Sequence, residues 1–307
     1  MRQAFIYLTL KCNNSCRMCY MNNHYSQKDE MDFDEACSTL QMLKNQNVEK
    51  ITFLGGEPTL YSKLKDLLQC ARDIGISFIR LQTNGQFNES FFFDQALMKN
   101  IDAFTFSLDG HTQELNSIMR IGSDFNRIVS NIKLATTLNK KIAVNITVSI
   151  TNIDYVCEII DFVYNLNVKK IYINLMFDAN EIKTTENEAN EFQSKWNFTA
   201  ELIKKKYSTV PICIKLPVGF SQTLNTNNKC EAVHPNRVYI MPNLDQFPCI
   251  LMVNNPEYAL NPYSWTIPTI MKNLQCEQKC IFLANTYKKS LPMCLYNKTN
   301  IGKEYRD

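Results

Sequence analysis

Phe5-Ile6-Tyr7-Leu8-Thr9-Leu10-Lys11-Cys12-Asn13-Asn14-Ser15-Cys16-Arg17-Met18-Cys19 joins a short apolar run to three thiols in the pattern CxxxCxxC. The apolar run predicts a first β-strand, and the thiols then sit on the loop that leaves its end. Three close cysteines can bind three irons of one cubane cluster and leave the fourth iron open, whereas electron-transfer clusters take four thiolates. A zinc knuckle or buried thiols is the other reading, although zinc sites usually pair CxxC with a second CxxC or with two histidines.

Outward from this loop the chain alternates. Asp32 caps a helix carrying Phe33, Ala36, Cys37, Leu40 and Leu43 at helical spacing, with Cys37 read as core. Ile51 to Leu54 is a buried strand closed by Gly55-Gly56-Glu57-Pro58, and a helix with Leu64, Leu67, Leu68 and Ala71 follows. Strands are then expected at 78–81, 103–108, 142–148 and 171–176, and helices at 90–99, 125–138 and 153–166, the last with Cys157 on its apolar stripe. Six strands separated by helices of this length predict parallel pairing and an α/β fold, a partial (β/α)6 TIM-like barrel.

The pattern breaks near Asp178. Residues 1–180 are expected to form the barrel, 181–210 a solvated connecting helix around Trp196, and 211–307 a small cysteine-rich domain. There, a hairpin of Arg237 to Met241 and Asp245 to Cys249 is flanked by Cys230 and Cys249. Few periodic apolar segments exist in this tail to build a core, and a metal can replace one.

The net charge of +3 with no basic tract gives no sign of a nucleic-acid partner. Twelve cysteines in a long chain that opens on a strand rather than a signal peptide favour reduced thiols and metal ligands in a cytoplasmic protein. No apolar run approaches the roughly 18 residues a membrane span needs, so no membrane partner is expected.

The ends of the strands carry the chemistry of a parallel barrel. They read Cys12, Cys16 and Cys19, then Gly55-Gly56-Glu57-Pro58, Thr83-Asn84-Gly85 and Ser107-Leu108-Asp109-Gly110. In this order and spacing the set resembles the radical S-adenosylmethionine superfamily, and within it the members with a C-terminal SPASM or twitch extension. The resemblance implies a 4Fe-4S cluster on Cys12, Cys16 and Cys19 whose open iron takes the amino and carboxylate groups of S-adenosylmethionine.

It also implies roles for single residues. Gly55 and Gly56 would bring backbone close to the cofactor, and Glu57 would accept from its ammonium group; a plain turn with a solvated Glu57 is the other reading. Ser107 and Asp109 would reach the ribose, although Asp-Gly is itself a turn signal. Arg120 would face the methionine carboxylate, or be a solvent-facing helix charge. Met18 would pack on the adenine, or simply in its loop. Asn145, Thr147, Leu175 and Met176 could line the adenosine, which strand alternation explains as well.

Cys230, Cys249, Cys276, Cys280 and Cys294 are similar to the ligands of one auxiliary 4Fe-4S cluster, five thiols for four positions. Two departures stand out. Relatives have PDGxxxPC where this chain has Leu244 in place of the glycine, which predicts a different turn, and the next cysteine pair is one residue wider than usual. The C-terminal trio also resembles that of enzymes rearranging GTP in molybdenum-cofactor biosynthesis, but their glycine-rich tail is missing at Ile301 to Asp307, so that activity is not carried over.

The implied chemistry is reductive cleavage of S-adenosylmethionine and hydrogen abstraction from a substrate C–H bond, fed by an external one-electron reductant such as flavodoxin or ferredoxin. The expected substrate is a ribosomally made peptide, cross-linked or oxidised; with strand one at the very start, recognition would fall to a separate peptide-binding protein or to the barrel mouth. A small-molecule dehydrogenase or epimerase acting on a sugar or aminocyclitol is the alternative, and a non-catalytic iron-sulfur or zinc protein the third.

Overall fold

Strand β1 runs Arg2–Tyr7 and is followed by helix α1, Phe33–Asn45, and strand β2, Val48–Leu54. This is a computed structural model in which residues 2–19, 21, 30–176, 186–217, 237–250, 253, 259–262 and 298–301 are described. The alternation continues through α2 (Leu64–Asp73), β3 (Phe78–Thr83), α3 (Ser90–Phe93), α4 (Gln95–Met98) and β4 (Ala103–Ser107). Beyond these lie α5 (Gln113–Met119), α6 (Phe125–Thr137), β5 (Lys141–Val148), α7 (Val156–Asn165) and β6 (Lys170–Leu175). The remaining elements are α8 (Glu186–Tyr207), β7 (Cys213–Pro217), β8 (Arg237–Ile240), β9 (Gln246–Phe247) and β10 (Lys298–Ile301). The α/β order expected of a partial (β/α)6 TIM-like barrel is therefore present.

The chain divides into two compact units. Unit 1 holds Met1–Asn13, Met21–Thr105 and Lys229–Gln275; unit 2 holds Asn14–Tyr20, Phe106–Asn228 and Cys276–Asp307.

In unit 1 the strands lie in the order β3-β2-β1-β8-β9, parallel except for the β8–β9 hairpin. Alternate residues Ala4, Ile6, Ile51, Phe53, Ile79 and Leu81 are buried, as are Leu40 and Leu43 of α1 and Leu67 and Leu68 of α2. Each such side chain contributes about 1.5–3 kcal/mol when withdrawn from water. Helix α1 starts where expected because the Asp32 carboxylate accepts from the Asp34 and Glu35 N–H groups at 2.9 and 3.2 Å, a cap that stabilises by about 1 kcal/mol.

Unit 2 has the order β5-β6-β7-β10, parallel but for β10. Its sheet packs with Val156, Ile159, Ile160 and Val163 of α7, all fully buried.

Four expectations change. The helix at 90–99 is two short helices, because Asp94 takes an extended conformation and its side chain caps the second, accepting from the Ala96 and Leu97 N–H groups. Helix α8 is not a solvated connector: Trp196, Ala200, Ile203 and Tyr207 form a buried stripe. The Tyr207 hydroxyl donates to the Cys157 carbonyl at 2.9 Å and to Asp161 at 2.8 Å. Many polar residues on its outer face hid this stripe in the sequence. Cys37 is half-buried rather than core, and forms a disulfide with Cys70 that links α1 to α2 with Cα atoms 6.4 Å apart.

The fourth change is at the hairpin. It forms as expected, but β8 lies parallel beside β1, so residues 237–247 extend the unit 1 sheet. Leu244 in its turn has φ 72°, the left-handed conformation glycine would take. Likewise β7, beyond the expected boundary, continues the parallel sheet of unit 2.

Candidate functional site

Unit 1 supplies the first group of strand-end residues. Gly55 and Gly56 close β2, and a Cβ on either would collide with backbone, that of Thr9 for Gly55 and of Lys11 for Gly56. The glycines thus admit the chain's own cysteine-bearing loop, locked by the Gly56 N–H to Thr9 carbonyl bond at 2.7 Å and the Glu57 N–H to Lys11 carbonyl bond at 2.8 Å.

Glu57 is 1% exposed, which rules out the solvated turn residue. Its Oε1 accepts from the Thr59 N–H and from the hydroxyls of Thr59 and Thr83, the latter two at 2.7 Å; its Oε2 accepts from the Asn84 N–H at 2.8 Å. Burial pushes the carboxyl pKa up, against these hydrogen bonds pulling it down. A carboxylate oxygen holding one donor keeps capacity for a second, so Oε2 can still accept from an ammonium group.

Asn84, in the Thr83-Asn84-Gly85 motif, joins the site although its sequence context alone gives it no role. Its Nδ2 donates to Asn13 Oδ1 at 2.6 Å and lies 3.8 Å from the Cys12 sulfur. Its Oδ1 accepts from the Gln86 N–H at 2.9 Å. Gly85, with φ 81°, makes the turn that aims it. Only the motif's place after a strand could have pointed to this amide.

Unit 2 supplies the second group. Asp109 is fully buried, with Oδ2 2.7 Å from Arg120 Nε and Oδ1 accepting from the Thr147 N–H at 2.6 Å. Arg120 is 8% exposed, not a solvent-facing charge, and its Nη1 lies 3.9 Å from the Cys16 sulfur. The loop is pinned beside it by the Ser15 N–H to Ile121 carbonyl and Arg17 N–H to Met119 carbonyl bonds, both 2.9 Å. Asp109 is thus neither a plain turn residue nor an exposed group. It orients Arg120, and the Asn152 amide holds its carbonyl at 2.9 Å.

Burial raises the pKa of Cys16, which the Arg120 charge opposes, and burial likewise raises that of Asp109 against the pull of Arg120 and the Thr147 N–H. Ser107 and Met18 are half-buried.

Cys12 belongs to unit 1, Cys16 and Cys19 to unit 2. All three are thiols, the donor type that iron-sulfur clusters take, and N–H donors lie near the Cys12 and Cys16 sulfurs. Among the described residues no group of three or more His, Cys, Asp or Glu is placed to hold a single metal ion. The fit to an iron-sulfur cluster therefore rests on this donor set. Cys249 is a buried thiol following β9; Cys230, Cys276, Cys280 and Cys294 lie outside the described residues. No described helix is long and apolar enough to cross a membrane.

Known proteins resemble this chain in sequence and in fold. The family described as the Radical SAM superfamily matches residues 6–163. A protein named "Probable GTP 3',8-cyclase" from Methanocaldococcus jannaschii is 26% identical over 277 residues, 85% of this chain and 89% of that protein. Among solved structures, Streptococcus suis SuiB bound to the precursor peptide SuiA matches with a TM-score of 0.69 at 16% identity, covering 94% of this chain and 73% of that one. Native anSMEcpe with bound AdoMet and Cp18Cys peptide matches with a TM-score of 0.63 at 15% identity, over 94% of this chain and 91% of that one.

Proposed function

This chain belongs to the radical SAM superfamily, and from that premise we propose that it generates a substrate radical on a ribosomally made peptide. The observation that carries the radical reading is the pair of N–H donors, Asn84 and Arg120, facing the Cys12 and Cys16 sulfurs at 3.8 and 3.9 Å. When bound, a three-thiolate 4Fe-4S cluster on Cys12, Cys16 and Cys19 supplies one electron for cleaving S-adenosylmethionine to methionine and a 5′-deoxyadenosyl radical.

The residues then have distinct tasks. Glu57 Oε2 would accept from the cofactor ammonium, and Gly55 and Gly56 keep the cysteine loop against the end of β2. Asp109 fixes Arg120, whose remaining guanidinium N–H groups are available to a carboxylate. Ser107 at the end of β4 is available to a ribose hydroxyl, and Met18 to the adenine face. Cys249 with Cys230, Cys276, Cys280 and Cys294 would hold one auxiliary cluster, and a flavodoxin or ferredoxin would supply electrons.

The peptide substrate is supported by SuiB and anSMEcpe, whose structures hold peptides and share this fold. A second reading, a nucleotide substrate, is favoured by the similarity to the GTP 3',8-cyclase, which extends over most of both chains.

After anaerobic reconstitution with iron and sulfide, dithionite and S-adenosylmethionine should give 5′-deoxyadenosine, and changing Cys12, Cys16 and Cys19 to Ala should abolish it. In that triple variant about four irons should remain if one auxiliary cluster is present. No 5′-deoxyadenosine from the parent protein would end the radical reading, and near-zero residual iron would end the auxiliary-cluster reading.

A further inference from the structure

The unit 1 sheet has one aliphatic face and one face that carries cations without carboxylates. Opposite the buried Ile6, Phe53, Ile79 and Val238, the alternate positions of β2, β3 and β8 hold Lys50, Arg80 and Arg237, all half-buried. Register places them on one face: Gln3 is the partner of both Lys50 and Arg237, Lys50 of Phe78, and Thr52 of both Phe5 and Arg80. No Asp or Glu occupies a position of that face on β1, β2, β3 or β8.

Lys50 Nζ and the Arg80 guanidinium each stand 5.4 Å from the Phe78 ring centre, so two cations share one ring. Among the described residues neither is paired with a carboxylate, and Arg80 Nε is buried without a hydrogen-bond partner. Holding two like charges half out of water with no counterion among the described residues opposes folding, and one aromatic ring only partly offsets it. An anion brought by a ligand removes that cost.

Position suits such a ligand. Arg80 lies four residues before Asn84, whose N–H holds Glu57 and whose amide faces Cys12, about 13 Å along an extended chain. That distance lies within one small substrate.

We propose that this face is an anion site which anchors a phosphate or carboxylate group of the substrate on Lys50 and Arg80, with Arg237 beside them. Naming the ligand as substrate rests on the radical reading; the anion site itself does not.

Isothermal titration of the reconstituted protein with sodium triphosphate, GTP and hexaglutamate tests it, with guanosine and N-acetylated, C-amidated hexaserine as uncharged controls. At least one anionic probe should bind at a single site, more weakly as salt rises. Lys50→Gln and Arg80→Gln should each weaken that binding at least tenfold, while the exposed-surface variant Lys169→Gln/Lys205→Gln should leave it unchanged. Triphosphate and GTP binding without hexaglutamate identifies a phosphate site, and the reverse an acidic peptide site.

Arg80→Met should unfold at a temperature no lower than the parent, because it removes an unpaired charge. Absence of binding by every anionic probe, equal weakening in the surface variant, or a lowered unfolding temperature with binding intact would overturn the proposal. Anion binding without 5′-deoxyadenosine formation would keep the site and end the radical reading, and the converse would end the site alone.

Discussion

In unit 1 the Cys12 sulfur faces the neutral Asn84 amide at 3.8 Å, whereas in unit 2 the Cys16 sulfur faces the charged Arg120 guanidinium at 3.9 Å. Both arrangements start from a carboxylate at a strand end, 1% exposed in Glu57 and 0% in Asp109. Glu57 is satisfied by neutral N–H and O–H donors, and through the Asn84 backbone it sets the amide that reaches Cys12. Asp109 accepts from the Thr147 N–H at Oδ1 and pairs at Oδ2 with a cation whose other end lies beside Cys16.

The difference has two consequences. Neutral donors make the unit 1 latch tolerant, since losing one leaves three. The buried ion pair of unit 2 fails as a whole, because removing either charge strands the other. Charge beside sulfur also stabilises an added electron on a bound cluster more than a neutral amide does, so the two thiolates would be electronically unequal.

Arg120→Met should have the largest effect, destabilising the apoprotein by about 3–5 kcal/mol in urea unfolding because Asp109 is left buried and unpaired. The double change Asp109→Leu/Arg120→Met should recover most of that loss. Equal stability of the single variant and the parent would show that the ion pair does not hold the loop.

Gly56→Ala comes next, at about 1–3 kcal/mol, since its Cβ meets backbone rather than a movable side chain. Iron content after reconstitution should fall with it, as the Glu57 to Lys11 bond that seats the cysteine loop is displaced.

Asn84→Ala should cost about 1 kcal/mol for its lost hydrogen bonds. Its main readout is electrochemical. In electron paramagnetic resonance titrations it should lower the cluster midpoint potential less than Arg120→Lys does, and a larger shift for Asn84→Ala would reverse the ranking of the two latches.

The smallest change serves as a control outside both latches. Leu244→Gly should stabilise by about 1 kcal/mol, because glycine takes φ 72° without the side-chain clash. A loss of stability there would mean that Leu244 packing outweighs its backbone strain.

Much of this was legible in the residues. Asp32 and the spacing of Ala36, Leu40 and Leu43 announced α1, and Ile51 to Leu54 followed by two glycines announced β2 and its close. Glu57, Asp109 and Arg120 could be named from the motifs around them. Asn84 stands in a turn motif, but amides in turns are common and nothing local shows what they face. The buried stripe of α8 was masked by Glu, Lys and Asn on the other face of the same helix. The parallel seat of β8 beside β1 joins residues far apart in the chain, and no local pattern encodes it.

The sequence by itself determined the kinds of element, their order and the chemical types at the strand ends, because helical and strand periodicities and capping residues act within a few positions of one another. Only the tertiary structure decided which atoms meet. The Asn84 amide reaches Cys12 across 72 positions and the Arg120 guanidinium reaches Cys16 across 104, through carboxylates that burial forces to find donors. Those partners are set by parallel strand register and by the close approach of backbone that Gly55 and Gly56 permit, both properties of the packed chain.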